Sequence, residues 1–98
     1  MASAEELHGA ACRLPGVEEG THFGMTAYTV DGKGFASLTK DGWLQLRFPP
    51  DTVDDLLAAH PAAEALSRGD TSIGIRVRLA ELSSTDMVAL LHASSRIR

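Results

Sequence analysis

Nine residues near the end of the chain constrain its fold most. From Thr71 to Leu79, Ile73, Ile75, Val77 and Leu79 alternate with Gly74, Arg76 and Arg78. A period of two in apolar residues fits a β-strand with one face buried and the other solvated, and it fits no helix. The run Trp43–Phe48 repeats the pattern, with Leu44, Leu46 and Phe48 on one side and Trp43, Gln45 and Arg47 on the other. Two such strands need partners and an apolar layer to cover their buried face.

The partners stand just upstream. Ala27–Val30 and Phe35–Thr39 flank Asp31-Gly32-Lys33-Gly34, and Asp-Gly is a favoured tight-hairpin dipeptide that needs a positive φ at glycine. Lys40-Asp41-Gly42 repeats the device before Trp43, so residues 27–48 predict an antiparallel meander. Helices supply the cover. Ser3 with Glu6 three residues on is a capping-box signature and opens a helix to about Arg13 with Leu7, Ala11 and Leu14 as its apolar stripe. Pro15-Gly16 ends it. After Pro49-Pro50-Asp51, a second helix over about Thr52–Ala59 buries Val53, Leu56 and Leu57, and His60-Pro61 closes it. A third begins near Ser84, with Met87, Leu90 and Leu91 on its core side. Residues 61–68 read either as helix or, at Glu64–Ser67, as a short strand before the Arg68-Gly69-Asp70 turn. The expectation is an α+β fold in the order α-β-β-β-α-(β)-β-α: an antiparallel sheet of four to five strands with helices on one face. Leu44, Leu46, Ile75 and Val77 are expected to face them. Ninety-eight residues without repeats or linker-like tracts read as one domain, 1–98.

Several chemistries find no footing in this pattern. Cys12 is the only cysteine, so no internal disulfide or cysteine-based zinc framework forms. His8 and Cys12, four apart on one side of the first helix, make half a metal site, but no second pair has ligand spacing. No metal and no cofactor are expected, and Cys12 reads as half-buried and inert. Glu18 and Glu19 follow Pro-Gly and read as solvated turn residues or as caps for nearby backbone N–H groups, not an acid–base pair. His22 is not expected to be catalytic. Gly32-Lys33-Gly34 turns a hairpin and lacks the strand–loop–helix setting of a phosphate-binding loop. No catalytic residue is assigned. An acidic start without an apolar core is unlike a secretory signal, and apolar runs are too short to span a bilayer, so a cytoplasmic location is expected.

Charge frames the remaining possibility. The net charge is −4, with four Lys/Arg against nine Asp/Glu in residues 1–60 and five against four in residues 61–98. Nucleic-acid binding by overall electrostatics needs a basic domain, so any such binding requires a local basic face. Alternation supplies one: Arg47, Arg76 and Arg78 point away from the apolar side together with Trp43 and Gln45. Arginines beside an aromatic suit nucleic acid and also protein interfaces. Pairing with acidic residues across strands would make the same face a merely solvated one.

The order of motifs is informative too. Leu14-Pro15-Gly16-Val17-Glu18-Glu19-Gly20-Thr21 leads to Phe23-Gly24, Tyr28–Val30 and Gly32-Lys33-Gly34-Phe35-Ala36. Asp41–Arg47, Asp55–Pro61 and Arg76–Leu79 then follow. This succession resembles the MmcQ/YjbR-like proteins across roughly residues 5–95. Many relatives carry an aromatic-rich Tyr-Pro-Trp segment before the late strand, where this chain reads Asp70-Thr71-Ser72-Ile73-Gly74. The resemblance implies the fold called a double wing, for which DNA binding has been proposed from shape. The expected function is a non-enzymatic binding domain, DNA-binding through the arginine face and the neighbouring hairpin at Lys33. The alternative is a protein-interaction or chaperone-like small dimer without a nucleic-acid role. DNA or a protein partner, not a membrane, is the expected contact, and monomer and homodimer stay open.

Overall fold

The computed structural model describes residues 3–22, 25–30 and 32–96, the side chain of His22 excepted. Phe23-Gly24 and Asp31, which carried part of the motif and hairpin readings, lie outside the described residues. Three helices and six strands are arranged in the order α1 (Ala4–Cys12), β1 (Val17–His22), β2 (Met25–Val30), β3 (Lys33–Leu38), β4 (Trp43–Arg47), α2 (Pro50–Ala59), β5 (Glu64–Arg68), β6 (Thr71–Arg78) and α3 (Ser84–Ser95), with a 3₁₀ turn at Leu79–Glu81. The strands form one antiparallel sheet in the order β1-β2-β3-β4-β6-β5.

The α+β class and the one-sided helical cover are as expected. The strand count of four to five is corrected to six, and the element order to α-β-β-β-β-α-β-β-α. Val17–His22, read as turn, is an edge strand whose backbone is stitched to β2 from Val17↔Val30 to His22↔Met25. Its glutamates and glycine have poor strand propensity, which a ready-made neighbouring edge overrides. Glu64–Arg68 resolves the ambiguity of residues 61–68 as the opposite edge, paired to β6.

Leu44 and Leu46 of β4 and Ile75 and Val77 of β6 are fully buried and paired as Leu44↔Val77 and Leu46↔Ile75. Leu7 and Ala11 of α1, Val53 of α2 and Met87, Leu90 and Leu91 of α3 join them in one core with Tyr28, Phe35 and Phe48. Each fully buried aliphatic side chain contributes roughly 1.5–3 kcal/mol. Leu56 and Leu57 are only half-buried at its margin. The caps are as the sequence implies: Ser3 Oγ accepts from Glu6 N–H at 3.2 Å and Ser83 Oγ from Asp86 N–H at 3.1 Å. The Glu6 carboxylate does not close the capping box. It accepts from the Ser84 hydroxyl and ties α1 to α3. Gly32 takes φ +79°, the left-handed conformation its tight turn demands.

Two bulges alter the simple alternation. In β3, Tyr28↔Ala36 is followed by Thr29↔Gly34, leaving Phe35 as an extra residue. In β6, Leu66↔Gly74 is followed by Ser67↔Ser72, leaving Ile73 extra. An inserted residue shifts the phase of the strand beyond it. Ile73, expected to face the core with Ile75, instead lines a groove with Gln45, Arg47 and Leu66. Leu79 is buried but belongs to the 3₁₀ turn, not the strand.

Candidate functional site

Helices α1 and α3 pack on β1, β3 and β4, and α2 on β6 and β5, all contributing to the single core cluster. The other face of the sheet carries none of these helices. Cross-strand pairing fixes what it displays, because paired residues project to the same side. One row crosses all six strands as Gly20, Ala27, Ser37, Gln45, Arg76 and Glu64. Trp43↔Arg78 lies on one side of that row and Arg47↔Gly74↔Leu66 on the other.

Alternation therefore does bring Arg47, Arg76, Arg78, Trp43 and Gln45 onto one surface, but not into one cluster. The Arg76 and Arg78 guanidinium carbons stand 4.3 and 4.9 Å from the Trp43 ring centroid. Such contacts at exposed sites contribute ~0.5–1 kcal/mol each. Arg76 also pairs with Glu64 at 3.4 Å. Gln45 Oε1 accepts from the Ser37 hydroxyl at 3.1 Å. Arg47 is four residues along β4 from Trp43, about 13 Å at ~3.3 Å per residue. It is exposed, and among the described residues neither it nor Arg78 has a carboxylate within ion-pair distance. Lys33 stands apart. It pairs with Val30 at the β2–β3 turn, and Val30 packs against the core, so Lys33 projects to the helix-bearing side.

Beside Arg47 the open face is concave. A groove of about 290 Å³ is lined by Met25, Ala27, Leu66 and Ile73, with Ser37, Gln45 and Arg47 supplying polar groups. Sequence reading missed it because its floor depends on the bulges at Phe35 and Ile73.

A second group of polar side chains lies where α1 meets β1. Cys12, expected half-buried, is exposed, since one residue beyond buried Ala11 turns ~100° around the helix. Its Sγ is 3.7 Å from His8 Nε2 and 3.9 Å from Nδ1, and His8 Nδ1 is 2.9 Å from Glu19 Oε2. Glu19 pairs with Tyr28 in the β1–β2 ladder. Burial, reinforced by the negative charges of Glu19 and Cys12, pushes the Tyr28 hydroxyl up from 10.0 to about 12. The sequence offered His8 and Cys12 at helical spacing. The third member was hidden because it arrives from another element.

The sequence profile of the YjbR family matches residues 12–97. The fold is similar to that of protein DR2400 of Deinococcus radiodurans, a crystal structure described as having a DUF419 domain. The TM-score is 0.79 at 21% identity, covering 96% of this chain and 76% of that one. At that identity the likeness speaks for the fold. No curated protein matches the chain. Among the described residues no helix is long and apolar enough to cross a membrane.

Proposed function

The chain belongs to the YjbR family, and on that footing we propose that it is a non-enzymatic binding domain. In this reading the uncovered sheet face takes a protein segment that offers an apolar side chain next to a carboxylate. The observation that carries the reading is the groove: Met25, Ala27, Leu66 and Ile73 give it an apolar floor, and the exposed Arg47, which among the described residues pairs with no carboxylate, stands among its polar lining. Its ~290 Å³ is at the small end for an enclosing small-molecule site, and suits one or two side chains of a larger partner. An arginine next to an apolar pocket is the composition of an interface anchor.

Nucleic acid is the second reading, and the exposed Arg47 and Arg78 favour it. Two features weigh against it. The Trp43 ring, the aromatic that these rows present, is engaged by the protein's own arginines, whereas base stacking needs a free π-face. The net charge of −4 repels a polyanion at long range.

The non-enzymatic character rests on the geometry at Cys12. Nearly equal distances from Sγ to the two His8 nitrogens place the sulfur beside or above the ring, not in line with the Nε2 lone pair. A thiol–imidazole nucleophile needs that alignment.

The test is a peptide-display library with a fixed Asp or Glu flanked by random positions, panned on the wild-type chain. Enriched peptides are expected to lose at least about tenfold in affinity for Arg47→Glu and for Leu66→Asp, both read beside a circular-dichroism check of folding. Peptides that bind both variants as well as the wild type would refute the reading. A parallel arm uses a duplex and an oligo-dT at ~50 mM salt, where electrostatic binding is strong. Salt-dependent binding lost on changing Arg47, Arg76 and Arg78 to Ser would establish the nucleic-acid reading in its place.

A further inference from the structure

Away from the open face, one place brings three different metal-binding side chains together. His8 and Cys12 lie on one side of α1, one turn apart, and Glu19 reaches them from β1. One donor atom from each falls within 4.8 Å of the other two. From this we infer that His8, Cys12 and Glu19 form a binding site for a single divalent transition-metal ion of the zinc class.

The distances fit the chemistry. With metal–sulfur and metal–nitrogen bonds of ~2.3 and ~2.05 Å, a tetrahedral ion sets its sulfur and nitrogen donors about 3.6 Å apart, and its nitrogen and oxygen donors about 3.4 Å apart. The corresponding separations are 3.7–3.9 Å for Cys12 Sγ to the His8 ring nitrogens and 2.9 Å for His8 Nδ1 to Glu19 Oε2. As a set the three donor atoms lie within 4.8 Å of one another, so an ion would draw these exposed side chains inward and turn the His8 ring toward it.

Charge and softness point the same way. A thiolate and a carboxylate balance a 2+ ion, and a sulfur, an imidazole nitrogen and one carboxylate oxygen are a borderline donor set. That set selects zinc over magnesium or calcium, which prefer oxygen throughout. Binding replaces the S–H bond of Cys12 with a sulfur–metal bond and releases one proton to solvent, so affinity rises with pH. Three protein ligands leave a fourth position to water or an added ligand, the open arrangement. His8 and Glu19 also line a pocket of about 360 Å³ with Glu5, Thr26 and Tyr28, so an added ligand has space beside them. The scaffold holds the donors in place: α1 is anchored by the buried Leu7 and Ala11, and Glu19 by its pairing with the buried Tyr28.

The test uses the full chain without a histidine tag. Titration calorimetry with zinc alone is expected to give one ion per chain. Cys12→Ser, His8→Ala and Glu19→Gln should each weaken it by at least tenfold, and all three alter exposed side chains, so the fold should survive. Cobalt should give a thiolate-to-metal absorption band that Cys12→Ser abolishes. Saturating zinc should slow alkylation of Cys12 by iodoacetamide in the wild type and not in His8→Ala. Zinc binding of undiminished affinity in Cys12→Ser, or cobalt binding without the thiolate band, would overturn the assignment. So would one ion per two chains with accompanying dimerisation, because the site would then lie between copies.

Discussion

A single added methyl group at Gly74 should damage this fold about as much as a core truncation. An ideal β-carbon there would stand 1.9 Å from the Leu46 carbonyl oxygen, 2.9 Å from its carbon and 3.0 Å from the Arg47 α-carbon. Ordinary carbon–oxygen contacts begin near ~3.3 Å, so β4 and β6 must part by more than an ångström. All three obstacles are backbone, and no side chain can swing away. Parting the strands strikes the middle of the sheet, beside Leu46↔Ile75 and the 3.1 Å hydrogen bond donated by Phe48 N–H to Ile73 C=O. Overpacking costs ~1–3 kcal/mol, and one or two weakened hydrogen bonds add about 1 kcal/mol each. Gly74→Ala is therefore expected to lose roughly 2–5 kcal/mol, a large share of the ~5–15 kcal/mol typical of a domain. The melting temperature should fall by at least about 8 °C, at ~4–8 °C per kcal/mol for a domain of this size. The assay is urea unfolding followed by Trp43 fluorescence and circular dichroism, with Gly20→Ala as control. Gly20 has no atom within 4 Å of its would-be β-carbon and no positive φ, so its change should stay neutral or gain up to ~1 kcal/mol. A Gly74→Ala midpoint within error of the wild type would refute the close approach of β4 and β6.

Two more outcomes concern buried hydroxyls. Tyr28, 1% exposed, has its hydroxyl pushed up from 10.0 to about 12, so above pH 10 the unfolded chain loses this proton first. The stability tied to it is full below pH 10 and is lost as pH rises to about 12, by roughly 2–3 kcal/mol. Tyr28→Phe should remove that part of the decline in unfolding free energy measured between pH 10 and 12, and an unaltered pH profile would refute the shift. Ser94, fully buried on α3, sets its hydroxyl 2.9 Å from both Phe35 C=O and Arg47 C=O. Its single proton is shared between the two carbonyls, so Ser94→Ala removes one donor and should cost ~1–3 kcal/mol in urea unfolding, and a loss below ~0.5 kcal/mol, the low end for one net hydrogen bond, would count against the bond.

The parts of this fold that can be read from sequence are those that repeat locally. Leu44, Leu46, Ile75 and Val77 announce a buried face because each strand carries its own alternation, and Gly32 announces a turn because one dipeptide encodes it. The edges could not be read this way. Glu18, Glu19 and Gly20 are strand only because β2 offers a free row of backbone groups, and Glu64–Arg68 only because β6 does. The same limit governs the candidate sites. Trp43, Arg76 and Arg78 could be grouped in advance because β4 and β6 alternate in phase and pair directly. Glu19 could not be joined to His8 and Cys12, since its place depends on β1 existing at all.

The groove lies where local pattern fails twice. Its extra residues, Phe35 in β3 and Ile73 in β6, interrupt the two strands that flank β4 at the Arg47 end. Bulges on both neighbours increase the local twist, which turns a flat face into a concave one and brings Ile73 beside Gln45 and Arg47. From the helix side, Ser94 reaches the carbonyls of Phe35 and Arg47 together, so the same hydroxyl that ties α3 to the sheet also holds one bulge to the end of β4. The shape of the open face is thus set partly from the core beneath it. A change at Ser94 should reach the groove without touching its lining. In Ser94→Ala, hydrogen exchange should quicken along residues 35–37 and 45–47 while the Trp43–Arg78 end keeps wild-type protection. Uniform quickening over the whole sheet would instead mean that Ser94 serves global stability alone.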